Sequence, residues 1–167
     1  MHKDIVIIDT GGTFSKKYQR RNGEFDIKSN VIKKILKKWL APEYKVIPLL
    51  SKDSIFFTDK DRELILETIQ QQKSKNIIIV HGTDTMSITA NFLKSKRLDY
   101  TIVLTGAMVP YTISKTEASA NLGLAIGAIG FIKSGVYIAM NGLIKESTEI
   151  LKDYKKGNFK MKETECH

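Results

Sequence analysis

Five short apolar runs punctuate the chain: "DIVIID" (4–9), "YKVIPLL" (44–50), "NIIIVHG" (76–82), "YTIVLTG" (100–106) and "GVYIAMN" (135–141). Each is rich in Ile and Val and nearly continuous in its apolar character, which suits strands covered on both faces. Between them the period lengthens. "SNVIKKILKKWL" places Val31, Ile32, Ile35, Leu36 and Trp39 at helical intervals, and "TDKDRELILETIQQQ" opens with Thr58 followed three residues later by Asp61, a capping signature. Residues 85–96 and 117–133 supply two further helices, the last containing Gly123, Gly127 and Gly130, which are expected to permit close helix-to-sheet packing. Strands alternating with helices predict an α/β fold: one doubly wound, mostly parallel sheet with helices on both faces.

The polar residues collect at one end of these strands. Thr10 to Thr13 follow the first, Ser51 to Thr58 the second, His81 to Thr85 the third and Thr105 to Met108 the fourth. In a doubly wound sheet, ligands bind at the carboxyl ends of the strands, near the reversal of strand order. All four clusters therefore fall on the edge where a site is expected. A threonine hydroxyl becomes a useful nucleophile when a base takes its proton and donors hold the oxyanion, and glycine-flanked loops offer exposed hydroxyls together with free backbone N–H groups. Acyl transfer fits that combination. Taken singly, each cluster also has a plainer reading: "DTGG" and "TGAM" as turns, Asp84 and Thr85 as a helix cap, His81 as a core histidine with its hydrogen bonds made internally.

Composition narrows the remaining classes. A length of 167 residues with 42% hydrophobic content suits one core and one domain. No apolar run reaches membrane-spanning length, and the N-terminal apolar stretch ends at Asp9 without a cleavage-like site, so the expectation is a cytoplasmic protein with no membrane partner. A single cysteine, Cys166, allows no intrachain disulfide, and histidines at 2, 81 and 167 show no metal-ligand spacing, so neither a metal nor an organic cofactor is expected. The net charge of +9 raises a nucleic-acid partner, but the basic residues are dispersed and interleave with few aromatics, which favours solvated helix faces.

"DTGGTF", "VHGTDTM", "VLTGAM" and "GVYIAMN" together resemble the signature segments of the bacterial-type L-asparaginases, over about residues 3–152. The resemblance implies an amidohydrolase that converts L-asparagine or a related amide to the carboxylate and ammonia through an acyl-enzyme. It makes Thr13 the primary nucleophile, Thr83, Asp84 and Lys152 a second catalytic group, and Tyr18 an assistant on a loop. Ser54 would hold the substrate carboxylate, the carbonyl of Ala107 would accept from the substrate amide, and Gly12, Asp53 and Gly82 would complete the binding set. Lys152 is left with two roles, base or charge anchor for Asp84, because a neighbouring carboxylate stabilises its charged form.

The resemblance is to the N-terminal domain of full-length members, and more particularly to short single-domain asparaginase-like proteins. The expected organisation is residues 1–152 as the α/β domain and 153–167 as a charged tail that frays. A homo-oligomer is implied by the family. Departures lie at Phe14, Phe56, Phe57 and Glu117; the three phenylalanines would add aromatic lining and change the substrate's shape. The competing reading is a non-catalytic protein that binds a small amino acid or amide. A third, an enzyme acting on an amide carried by RNA or a polypeptide, rests on the charge alone.

Overall fold

The computed structural model describes residues 4–27, 30–39, 41 and 44–162. His2, Cys166 and His167 lie outside them. A six-stranded sheet is built from β1 (Ile5–Gly11), β4 (Lys45–Lys52), β5 (Asn76–Val80), β6 (Thr101–Thr105), β7 (Gly135–Met140) and β8 (Leu143–Glu146), in the order β4-β1-β5-β6-β7-β8. All neighbours run parallel except β7 and β8. All five apolar runs are strands of this sheet, and Pro48 is accommodated because β4 is an edge strand.

Among the described residues four α-helices cover the sheet: α1 (Val31–Lys38), α2 (Asp59–Gln70), α3 (Met86–Ser95) and α4 (Lys115–Ala128). The side chains alternate faces along β1. Val6 and Ile8 join Ile65, Ile69, Ala90 and Leu93 of α2 and α3, while Ile5 and Ile7 join Ile32, Ile35, Leu122 and Ala125 of α1 and α4. This is the two-sided burial that the continuous apolar runs predict. The capping box of α2 forms as expected: Asp61 N–H donates to Thr58 Oγ1 at 3.4 Å, and Thr58 N–H donates to Asp61 Oδ2 at 2.7 Å.

The expectation for the α4 glycines is corrected. The helix ends at Ala128, before Gly130; a Cβ on Gly127 would meet nothing within 4 Å and one on Gly123 would meet the Trp39 ring at 3.5 Å, so neither glycine is pressed against the sheet. Two hairpins add to the elements that the sequence pattern predicts. One joins β2 (Lys16–Gln19) to β3 (Glu24–Ile27), and the other joins β9 (Ile150–Asp153) to β10 (Asn158–Met161). The second hairpin replaces the frayed chain expected from Asp153 onward as far as Met161. Phe159, 2% exposed, and Ile150, fully buried, anchor it in the core.

Candidate active site

β4 pairs with one side of β1 and β5 with the other, so strand order reverses at β1, and in a doubly wound sheet such a reversal places a ligand crevice at the carboxyl ends of the strands that flank it, here β1 and β5. The "DTGGT" and "HGTDT" segments emerge on either side of it. Their backbones touch: a Cβ on Gly12 would lie 2.5 Å from Gly82 Cα, and one on Gly82 would lie 2.6 Å from Ser54 Oγ. Gly12 also has φ 78°, in the region that L side chains avoid. Gly12→Ala is therefore expected to destabilise the fold by about 3 kcal/mol or more, since overpacking and a positive-φ extended backbone that only glycine adopts readily each cost roughly 1–3 kcal/mol. Urea denaturation measures this directly.

Thr13 begins a 3-10 turn that runs to Ser15, and its hydroxyl has no hydrogen-bond partner among the described residues. Phe14 turns inward and is fully buried in the apolar layer beneath α1. Across the crevice, Lys152 Nζ donates to Thr83 Oγ1 at 2.9 Å and to Asp84 Oδ1 at 2.7 Å. The Lys152 side chain is 9% exposed and that of Asp84 40%. Three residues, one of them far from the others in sequence, are thus joined in one hydrogen-bonded group.

Lys152 reaches this group because the β9–β10 hairpin is tied to the sheet by a chain of amides. Asn121 Nδ2 donates to Gly106 O at 2.9 Å, Asn141 N–H donates to Asn121 Oδ1 at 2.9 Å, and Phe159 N–H donates to Asn141 Oδ1 at 2.9 Å. Phe159 is the register partner of Lys152. Asn121 and Asn141 are supporting residues that the sequence reading missed. So is Tyr154, whose hydroxyl donates to Asp84 O at 3.2 Å and whose ring lies 4.9 Å from Lys152 Nζ. The available signal was the two-residue spacing of Lys152 and Tyr154, which a strand reading would have placed on one face.

The other expected site residues are placed as follows. Ser54 is fully buried, with Oγ accepting from Thr85 N–H at 3.3 Å. Asp53 pairs with Lys16 at 2.6 Å; burial opposes ionisation of Asp53, but the hydrogen bond and charge of Lys16 outweigh it and hold the pKa below the usual value. Ala107 is 1% exposed in the turn after β6, and Glu117 clamps that turn by accepting from Met108 and Val109 N–H, both at 3.0 Å. Tyr18 stands apart from the Lys152 group. It lies on β2, half exposed, with its ring edge-on to Phe25 at 5.4 Å.

Several polar residues of the clusters serve the scaffold. Thr10 Oγ1 donates to Val80 O and Thr105 Oγ1 to Ala139 O, each at 2.8 Å, so both hydroxyls are spent across strands. His81 is a core histidine. A carbonyl can only accept, so Nδ1–H donates to Gly82 O at 2.7 Å and Nε2 accepts from Thr89 Oγ1 at 2.9 Å. Phe57 packs edge-on against its ring at 4.8 Å and is itself buried. Of the three phenylalanines expected to add lining, only Phe56, 66% exposed, reaches the surface.

Two buried groups shape the pH response of this region. Desolvation lowers the His81 pKa from 6.5 to about 4, whereas desolvation raises that of Asp9 from 3.8 to about 7, against the hydrogen bond from Gly11 N–H at 3.0 Å. Asp9 Oδ2 has no partner among the described residues. His81 contributes stability that is present above pH 6.5 and lost as pH falls through about 4; Asp9 contributes stability that is present below 3.8 and lost as pH rises through about 7. The opposing slopes nearly cancel between pH 4 and 6.5. Asp9→Asn removes one of them. Its stability relative to wild type is expected to improve by about 4 kcal/mol between pH 4 and pH 8, at about 1.4 kcal/mol per tenfold change in proton concentration. Urea titrations at pH 4, 6 and 8 check this; a difference that does not vary with pH would contradict a neutral Asp9.

At the reversal of strand order, two glycine–threonine loops are in contact and a largely enclosed lysine side chain is bonded to a threonine and an aspartate. The chain belongs to the asparaginase family: the model described as "Asparaginase, N-terminal" matches residues 4–158. It is 26% identical over 163 residues to L-asparaginase 2 of Bacillus subtilis, covering 89% of this chain and 44% of that protein. It is 28% identical over 161 residues to a glutamyl-tRNA(Gln) amidotransferase subunit of Methanococcus maripaludis, covering 84% and 35%. The thermostable L-asparaginase from Thermococcus kodakarensis shares the fold with a TM-score of 0.82 at 24% identity, over 94% of this chain and 50% of that one. The chain thus spans half or less of the length of these relatives. Among the described residues no helix is long and apolar enough to cross a membrane.

Proposed function

We propose that this chain hydrolyses the carboxamide of a small amide, L-asparagine or a near relative, with Thr13 as nucleophile. The observation that carries the reading is the hydrogen-bonded Thr83–Asp84–Lys152 group, built on the loop whose Gly82 backbone touches Gly12, the residue before Thr13. Thr13 Oγ1 attacks the amide carbon, its hydroxyl proton passes to the amide nitrogen as the C–N bond breaks and ammonia leaves, and water then cleaves the Thr13 ester, giving its oxygen to the carboxylate and a proton back to Thr13. Backbone N–H groups of the glycine-flanked loops would hold the oxyanion.

In this reading Lys152 is a charge anchor. Its ammonium donates to both Thr83 and Asp84, so it favours oxygen-centred negative charge on Thr83 and leaves the Thr83 proton free to point into the crevice. Asp53 and Ser54 would orient the substrate from the turn after β4, with Ala107 facing its amide from the turn after β6. The protein would work in the cytoplasm as a homo-oligomer.

Ammonia release from L-asparagine, L-glutamine and a panel of small amides tests the reading. Wild type is expected to turn over at least one of them, and Thr83→Ala to lose on the order of 10²–10³-fold in kcat while keeping its fold, the scale for one preorganised donor. Amide binding that survives this substitution, with no release from any amide, would instead support the binding-protein reading.

A further inference from the structure

On the side of α1 and α4, away from Lys152, lies a cavity of about 250 Å³ that the proposed chemistry does not use. Among the described residues its polar lining is Lys17, Lys34, Lys115, Asn30, Tyr111 and Thr112, over a floor that includes Val31. No acidic side chain lines it among them. Asp26, which stands opposite Lys17 in the β2–β3 register, is not part of the lining.

We propose that this cavity binds the phosphate group of a small molecule. Among the described lysines, Lys16, Lys52, Lys94, Lys96, Lys152 and Lys160 pair with carboxylates and many others do not; what sets three of the latter apart is that they line one hollow together with no acidic residue in its lining. Lys17, Lys34 and Lys115 have no such partner among the described residues. Three ammoniums around one hollow repel each other, and a compact polyanion relieves that repulsion where a single carboxylate would leave most of it.

The neutral donors point to the same chemistry. Tyr111 hydroxyl accepts from Lys38 Nζ at 3.3 Å, which leaves its own proton to donate and makes it a stronger donor. The Asn30 side chain, at the start of α1, makes no cap hydrogen bond. The volume lies below the roughly 300–1,000 Å³ of pockets that engulf drug-sized ligands, so the site takes a small ligand or its phosphorylated end.

The cavity wall is attached to the segment that follows Thr13. Tyr111 N–H donates to Phe14 O at 3.4 Å, and Thr112 Oγ1 donates to Lys16 O at 2.9 Å. A bound phosphate would therefore sit beside the nucleophile turn, while being held by residues outside the Thr83–Asp84–Lys152 group.

Calorimetric titration with inorganic pyrophosphate at low salt tests the site without reference to turnover. Saturable binding to wild type is expected. Lys34→Glu with Lys115→Glu should weaken it at least about tenfold, and Lys34→Arg with Lys115→Arg should preserve it, since Arg also binds phosphate. Lys60→Glu with Lys73→Glu makes the same net-charge change on exposed positions of the α2 side and should alter affinity less than about threefold. Equal weakening by the two Glu pairs would overturn the proposal by showing diffuse charge attraction. So would the lack of saturable pyrophosphate binding, including the case in which an RNA oligonucleotide binds instead.

Discussion

Thr13→Ala is expected to abolish ammonia release, by at least about 10⁴-fold in kcat, while leaving thermal stability within about 1 kcal/mol of wild type. The asymmetry has a structural source. The Thr13 hydroxyl makes no hydrogen bond among the described residues, so its removal leaves no orphaned partner, and the 3-10 turn is held by backbone bonds such as Ser15 N–H to Gly12 O at 3.2 Å. A nucleophile that forms and breaks a covalent bond cannot be replaced by a methyl group. Circular dichroism and denaturation of the variant establish the fold, and coupled ammonia detection measures the rate. Undiminished turnover in Thr13→Ala would remove Thr13 from the chemistry and transfer the nucleophile's role to another hydroxyl.

The second large effect concerns Lys152. Lys152→Met keeps the length of the side chain while deleting its charge and donors, and is expected to lower kcat by about 10²–10³-fold with a smaller change in KM. Asp84 remains 40% exposed and can turn to water, so the cost in stability is modest. Removing the carboxylate instead, in Asp84→Asn, leaves the lysine charge 9% exposed without its compensating partner. The double variant should therefore lose far less than the product of the single losses, because Lys152 and Asp84 act as one unit. Additive losses would mean that the two side chains serve separate functions.

Much of the fold was legible because burial on both faces writes continuous Ile/Val runs into the chain, and these runs predict the five parallel strands. The hairpins were less legible. β2–β3 is a short ribbon outside the main sheet whose only aliphatic or phenyl side chains are Phe25 and Ile27, and β9–β10 rests on Ile150 and Phe159 within a stretch rich in lysine. Neither carries a periodic apolar signal long enough to separate it from loop. The α4 glycines misled for a related reason: small residues permit close packing, but only the neighbour decides whether it occurs.

The candidate site divides in the same way. Sequence alone determined that glycine–threonine segments follow successive strands at one edge of an α/β sheet, because loop chemistry and strand pattern are both local properties. Only the tertiary structure decided which hydroxyls are free, since Thr10 and Thr105 bond across strands whose neighbours no local pattern reveals. It also shows how Lys152, which the family resemblance already groups with Thr83 and Asp84, reaches them across almost seventy residues, with its hairpin held by the amide chain of Asn121 and Asn141. Contacts at that separation depend on strand order and hairpin docking, which arise from packing the whole chain rather than from any segment of it.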